Sequence, residues 1–205
     1  MNIAIIVEGQ TESAFKKKLN EFLRTRLQGN MPRLDFVPYD GGGRLPKHNK
    51  LKTAVENLLN DAKRPADAVI ALTDVYTGTN PPDFTSAADA KSKMRSWVGE
   101  NAKFFPHAAA NEFEGWLLPY WPRIQQLTGS NKAAPGPVPE NVPHPAEKIQ
   151  EIYRIGSKSK SYKKTVDAEK ILRDQDLMVA INACPELKAF VNTIIGLCDE
   201  TKVIP

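Results

Sequence analysis

Two apolar segments that each end in a carboxylate constrain the fold of this chain more than any other feature. Residues 3–7 lead directly into Glu8, and residues 68–73 lead into Asp74. A short apolar run bounded by a turn is typical of a strand covered on both faces, as in a parallel sheet. In open α/β sheets, ligands bind beyond the carboxyl ends of the strands. Two neighbouring parallel strands would place Glu8 and Asp74 at one edge, where they can share a hard divalent cation such as Mg²⁺.

A third acidic segment follows the strand predicted at residues 103–109. Asn111 is expected to cap a helix here, and Glu112 and Glu114 flank Phe113. Acids in a first helical turn also suit the helix dipole without any chemistry, so a purely structural role stays open. The alternation around Phe113 indicates that one acid points inward. Glu112 is preferred as the third site residue, with Glu114 next.

Strands and helices are predicted to alternate over residues 1–130. The strands are expected at residues 2–7, 34–39, 68–73 and 103–109. The helices are expected at residues 12–27, 48–62, 86–98 and 112–126. Trp121 and Pro122 are read separately as a pair that ends a helix. Such βα alternation predicts an α/β fold with a parallel-dominated sheet, flanked by helices and joined by right-handed crossovers.

The remaining residues divide into a linker and a helical part. Residues 131–145 are rich in proline, which indicates an extended surface linker. Further helices are expected at residues 146–155, 167–173, 175–183 and 185–199. The predicted organisation is therefore a core at 1–130, a linker at 131–145 and a helical cap at 146–205, packed on the sheet.

The composition narrows the classes of protein to consider. A chain of 205 residues is long enough for one medium domain with a real core. It has no apolar stretch of the roughly twenty residues that a membrane span needs, and its start does not resemble a signal peptide, so a cytoplasmic protein without a membrane partner is expected. Cys184 and Cys198 are expected to be free thiols, and the three histidines form no spaced motif, which disfavours zinc.

The net charge is +4, and the cations are clustered. One group lies on the helix after Glu8, another lies in residues 154–164, and a single arginine follows the three glycines at 41–43. The candidate phosphate-binding residues are Lys16, Lys17, Arg44, Lys158, Lys160, Lys163 and Lys164. Cations beside an acidic site suit a polyanion such as nucleic acid.

Each of these features also has a simpler interpretation. An acid that ends a single strand is commonly a solvated residue, although two at one edge favour a site. Lysines on one helix are commonly a solvated face, and a lysine-rich loop is commonly a mobile connection. These alternatives stay open on the sequence alone.

Several of these segments together resemble a known bacterial family. The segments are residues 7–12, 72–74, 112–118 and 161–167, followed by Cys184, Pro185 and Phe190. They are similar to the family named domain of unknown function 4276, which is considered Toprim-like. Toprim domains occur in topoisomerases, primases and the overcoming-lysogenization-defect nucleases.

The resemblance implies a fold and a set of roles. In Toprim domains, a glutamate after the first strand and an Asp-x-Asp pair after a later strand bind magnesium. Glu8 matches that glutamate and Asp74 the first aspartate, while Lys163 and Lys164 match a Tyr-Lys-Lys segment of the family.

One expected ligand is absent, because Tyr76 stands where the second aspartate would be. A protonated tyrosine is a poor ligand for a hard cation. Another carboxylate must then complete the site, or metal binding is weak. The candidates are Glu112, Glu114, Glu12 and Asp83.

The leading hypothesis is a metal-dependent phosphodiesterase, a Toprim-like nuclease that uses Mg²⁺ or Mn²⁺. Its metal ligands would be Glu8, Asp74, Glu112 and Glu114. Its catalytic residues would be Glu8, Asp74, Glu112 and Lys163. The resemblance implies a role beside an ATPase partner in bacterial defence against phage.

The alternative is a Toprim-like subunit that binds nucleic acid or a partner and has lost catalysis. A phosphoryl-transfer enzyme acting on a small nucleotide is disfavoured, because the chain has no phosphate-cradling loop. The choice between DNA and RNA and the oligomeric state stay open.

Overall fold

A computed structural model describes residues 1–9, 11–39, 45–157 and 161–205, with residues 11–14 described by their backbone alone. Within these ranges, one sheet of four parallel strands has the order β2-β1-β3-β4. The strands are β1 (Asn2–Val7), β2 (Arg33–Pro38), β3 (Ala68–Asp74) and β4 (Phe104–Ala109). All four predicted strands are thus present within one or two residues of their expected bounds.

The two central strands are those with the longest apolar runs. In β1, every residue after Asn2 is buried, and β3 is buried from Ala68 to Thr73. Strands buried on both faces lose the alternation of polar and apolar residues, which is why β1 and β3 stand out in the sequence. The edge strand β4 contains Pro106, which lacks the N–H that a central strand would need.

Eight α-helices and three short 3₁₀ helices occupy the described ranges. The α-helices are α1 (Thr11–Leu27), α2 (Asn49–Leu59), α3 (Ala87–Val98), α4 (Trp121–Thr128), α5 (Pro145–Ile155), α6 (Lys164–Leu172), α7 (Leu177–Ala183) and α8 (Pro185–Cys198). The 3₁₀ helices are Phe113–Tyr120, Pro139–Asn141 and Glu200–Lys202.

The sheet separates two layers of apolar side chains. On one face, Ala4 and Ile6 of β1 pack with α2 and α3. On the other face, Ile3 and Ile5 pack with α1, the 3₁₀ helix Phe113–Tyr120 and the C-terminal helices. The predicted C-terminal helical cap is therefore confirmed, and it completes the core of that face.

The segment after β4 differs from the predicted helix at 112–126. It forms the 3₁₀ helix Phe113–Tyr120, and only then α4. Pro119 lies inside the 3₁₀ helix and cannot donate to an α-helical ladder. The 3₁₀ helix ends directly before Trp121, as predicted, and Pro122 lies in the first turn of α4, where its missing N–H costs nothing.

Two further expectations about helix starts are wrong. Glu112, not Asn111, is the residue before the 3₁₀ helix, and the side chain of Asn111 donates to the carbonyl of Glu140 at 2.8 Å. The helix predicted at 167–173 begins earlier, at Lys164, with Lys163 as the residue before it.

The proline-rich segment at 131–145 contains the 3₁₀ helix Pro139–Asn141 and the buried Val142. The domain boundaries placed at 130 and 145 stay predictions. No single helix in the described ranges has the length and hydropathy to cross a membrane. The helices α7 and α8 meet that requirement only when taken together, and they are bent by 118°.

Candidate functional site

Glu8 and Asp74 lie together at the carboxyl edge of the sheet. The strands that end in them are parallel neighbours, with Val7 opposite Leu72. The side chain of Glu8 accepts hydrogen bonds from the hydroxyl of Thr73 and from the backbone N–H of Asp74, the latter at 3.2 Å. The strand pairing therefore brings these two predicted site residues into direct contact.

The position of Glu8 affects its charge. Burial raises the pKa of Glu8 above its ordinary value, while the hydroxyl of Thr73 and the N–H groups of Asp74 and Leu45 act in the opposite direction. Asp83 adds a negative charge nearby, which raises the pKa further. A carboxylate that is costly to charge in isolation gains the most from a bound cation.

Asp74 connects the sheet to the acidic segment after β4. One of its carboxylate oxygens accepts from the backbone N–H of Phe113 at 2.8 Å. Glu112, the residue before Phe113, in turn accepts from the N–H of Ala146 at 3.0 Å. Burial raises the pKa of Glu112, and the negative charge of Glu114 adds to this effect.

Glu114 is the inward-pointing acid of the pair, with 1% of its surface exposed. Its partner is Lys164, whose ammonium lies 3.1 Å from the carboxylate. Partial burial acts to lower the pKa of Lys164, but the charges of Glu114, Glu112 and Asp74 together raise it above its ordinary value. Lys164 therefore lies in the field of three of the four predicted metal ligands.

A second charged cluster, with Asp83 at its centre, lies beside Glu8. The ammonium of Lys47 is 2.6 Å from one oxygen of Asp83, and the hydroxyl of Thr77 donates to the other at 2.9 Å. Partial burial acts to raise the pKa of Asp83, but these hydrogen bonds lower it below its ordinary value. Sequence reasoning named Asp83 as a substitute ligand but missed Lys47, since nothing local distinguishes that lysine from others.

The predicted cations are distributed unequally. Lys163 and Lys164 are exposed at the start of α6, and Lys164 contacts the acid Glu114. The ammonium of Lys16 lies 5.5 Å from the ring centroid of Phe36 in β2, and Lys17 lines a cavity of about 110 Å³ with Arg173. Lys16 therefore contacts β2, and Lys17 lies near the C-terminal end of α6. The other three predicted cations, Arg44, Lys158 and Lys160, lie outside the described residues.

The donor chemistry of this edge suits a hard divalent cation, because carboxylate oxygens are the ligands that Mg²⁺ and Mn²⁺ prefer. The arrangement is less complete than the sequence predicts. In the described ranges, no three acidic, histidine or cysteine side chains are gathered closely enough to hold a metal ion. Glu114 is instead neutralised by Lys164. The side chain of Glu12 is outside the described residues.

Comparison with solved structures identifies the fold. The chain is similar to the C-terminal region of the Burkholderia pseudomallei OLD protein, with a TM-score of 0.53 and 12% sequence identity. The match covers 96% of this chain and 98% of the other. It confirms the α/β architecture expected from the sequence, a parallel sheet flanked by helices.

Comparison of sequences gives the family. No curated protein matches the chain. A family model does match it, over residues 7–195, which include the acids of the site, Lys164 and most of the C-terminal helices. The chain therefore belongs to the family described as Domain of unknown function (DUF4276).

Proposed function

We propose that this protein is a metal-dependent phosphodiesterase, and specifically a nuclease. The observation that carries the proposal is the hydrogen bond from the backbone N–H of Asp74 to the carboxylate of Glu8, at the ends of two adjacent parallel strands. This is the place where open α/β sheets bind their ligands. The similarity to the OLD C-terminal region supports the same conclusion at the level of the fold.

The carboxylates would hold Mg²⁺ or Mn²⁺, with Glu8 and Asp74 as the central ligands and Glu112 or Glu114 as the next. When bound, the metal would activate a water molecule and neutralise the leaving oxygen. Thr73 and the N–H of Asp74 fix the orientation of Glu8 before any metal arrives.

The cations at the start of α6 would bind the substrate. Lys163 and Lys164 are exposed, so their ammonium groups can reach the phosphates of a DNA or RNA strand. Lys164 is already held among the acids by Glu114. It would place positive charge beside the phosphodiester as negative charge builds up there.

We also propose that the protein acts beside an ATPase in bacterial defence against phage. The similar structure is the C-terminal region of a longer protein, which supports the idea that such a domain works with a further component. The amino-acid sequence of this chain contains no phosphate-binding loop of the Gly-x-x-x-x-Gly-Lys-Ser/Thr type.

The test is cleavage of supercoiled plasmid, linear DNA and RNA in Mn²⁺ and in Mg²⁺. We expect cleavage by the unaltered protein and its loss both in a chelator and in Glu8→Gln. Glu56→Gln is the matched control, because Glu56 is an exposed acid on α2, with 52% of its side chain accessible. Cleavage that survives in Glu8→Gln would contradict the proposed site.

One observation favours a second candidate, a subunit that binds nucleic acid or a partner without catalysis. The described carboxylates are not gathered into a three-ligand group, and Tyr76 replaces an expected aspartate. This candidate predicts binding without turnover. Calorimetry separates the two, because Tyr76→Asp should tighten Mn²⁺ binding only if Glu8 and Asp74 already form a partial site.

A further inference from the structure

We propose that Tyr76, packed against His144, forms a platform on which an unpaired nucleobase stacks, next to the acidic edge. The proposal rests on the proposed function, since it assigns how that site positions a single-stranded substrate. Tyr76 is the most exposed Phe, Tyr or Trp in the part of the chain that the structure describes, with 46% of its surface accessible.

The ring of Tyr76 packs against a second aromatic ring. Its centroid lies 4.4 Å from that of the His144 imidazole, with an angle of 90° between the two planes. Edge-to-face contacts of this kind are favoured between aromatic rings. The contact supports the phenol from one side, while nearly half of the residue's surface remains accessible to a ligand.

The backbone beneath the ring is also fixed. The N–H of Val75 donates to the carbonyl of Ala109 at 3.2 Å, and the N–H of Tyr76 donates to the carbonyl of Asn111 at 2.8 Å. These two bonds join the segment after β3 to the end of β4 and the segment after it. They hold the backbone of Tyr76 directly beyond the sheet, which gives a binding group a defined position.

The platform adjoins the acids from two directions. Tyr76 follows Asp74 by two residues, and its hydrogen-bond acceptor, Asn111, precedes Glu112. His144 precedes Ala146 by two residues, and Ala146 donates to the side chain of Glu112. Tyr76 and His144 are therefore each linked through the backbone to a predicted metal ligand.

A nucleobase is the ligand that suits this surface. Every base presents a flat apolar face, so stacking on an aromatic ring tolerates any sequence and adds affinity that phosphate contacts alone do not provide. A base adjacent to the scissile phosphate would rest on Tyr76 while the phosphate faces the acids and Lys164. The ring would act as a positioning residue for single-stranded substrates.

The experiment measures the binding of two fluorescent strands of equal length in a chelator, so that nothing is cut. One is a strand of thymidines and the other has the same backbone without bases. Tyr76→Ala should weaken binding of the thymidine strand by roughly 5- to 100-fold and leave the baseless strand unaffected. Tyr76→Phe should retain affinity to within about twofold, because it keeps the ring.

Val179→Ala is the control, since Val179 is similarly exposed on α7. An equal loss on both strands, no loss on either, or no binding of thymidines by the unaltered protein would overturn the proposal. Its failure is distinct from failure of the proposed function. Plasmid cleavage that requires Glu8 would stand without the platform, and selective binding of bases would stand without cleavage.

Discussion

At the scale of single residues, Glu114 is predicted as a metal ligand, but in the structure it forms an ion pair with Lys164. The alternation of Glu112 and Glu114 predicts that one acid points inward, and the buried one is Glu114. A buried carboxylate needs a partner, because its desolvation is costly. That partner comes from α6, fifty residues further along the chain.

This pairing predicts an asymmetric effect on stability. Lys164→Met should lower the free energy of unfolding by about 1–3 kcal/mol at neutral pH, because it leaves the buried Glu114 unpaired. Glu114→Gln should cost less, since the remaining lysine is exposed, and the double variant should recover much of the loss. Urea denaturation of the unaltered protein, the two single variants and the double variant measures the four free energies of unfolding in this cycle.

Lys163→Met is the control for this cycle, because Lys163 is an exposed lysine directly beside Lys164. It should change stability by no more than about 0.5 kcal/mol. If Lys164→Met and Lys163→Met have the same effect, the buried ion pair does not contribute to stability.

At the scale of elements, α6 begins at Lys164, earlier than the sequence predicts. Its start lacks the usual Ser, Thr, Asp or Asn signal, because Lys163 precedes it. A residue inside the helix, Asp167, instead accepts a hydrogen bond from the backbone N–H at the helix start. The carboxylate of Asp167 accepts from the N–H of Lys163 at 2.8 Å and from the ammonium of Lys170 at 2.9 Å.

Asp167→Ala should therefore destabilise the start of α6. We expect a loss of about 1–2 kcal/mol, because Asp167 is buried and its removal leaves the N–H of Lys163 without this acceptor. Chemical denaturation measures the loss. Lys170→Met isolates the ion pair and should cost only about 0.2–0.5 kcal/mol, since the lysine is exposed. An equal loss in both variants would show that the ion pair matters and the cap does not.

At the scale of the whole molecule, one side chain joins the C-terminal helices to the sheet. Phe190 of α8 stacks on Trp116 of the 3₁₀ helix at 6.1 Å, and its ring lies 5.6 Å from that of His107 in β4. All three side chains are buried. The C-terminal helices thus share one apolar layer with the strands that carry Glu8 and Asp74.

This shared core predicts that the protein unfolds in one transition. Tryptophan fluorescence and far-ultraviolet circular dichroism should give the same midpoint. Phe190→Ala should shift both probes together, with a loss of about 3–5 kcal/mol from the cavity it creates. Val179→Ala, on an exposed position of α7, should leave the midpoint nearly unchanged. Two separated transitions would show that the C-terminal helices form an independent unit.

The sequence by itself determined the strands, their parallel alternation with helices, and the edge at which Glu8 and Asp74 lie. These follow from local patterns. An apolar run predicts a strand, and the residue that follows the run is the side chain that lies at the carboxyl edge of the sheet. The residues of segments 7–12, 72–74 and 112–118 were sufficient to indicate the family that the matched model then showed. The roles of these residues stay predictions.

Only the tertiary structure decided which side chains meet. It placed β1 beside β3, so that Glu8 contacts Asp74, and it paired Glu114 with Lys164. It also placed His144 against Tyr76. These contacts join residues far apart in the chain, and the packing of helices on a completed sheet sets them. Local propensity cannot specify them, because the same helix and strand patterns are compatible with several strand orders and packings.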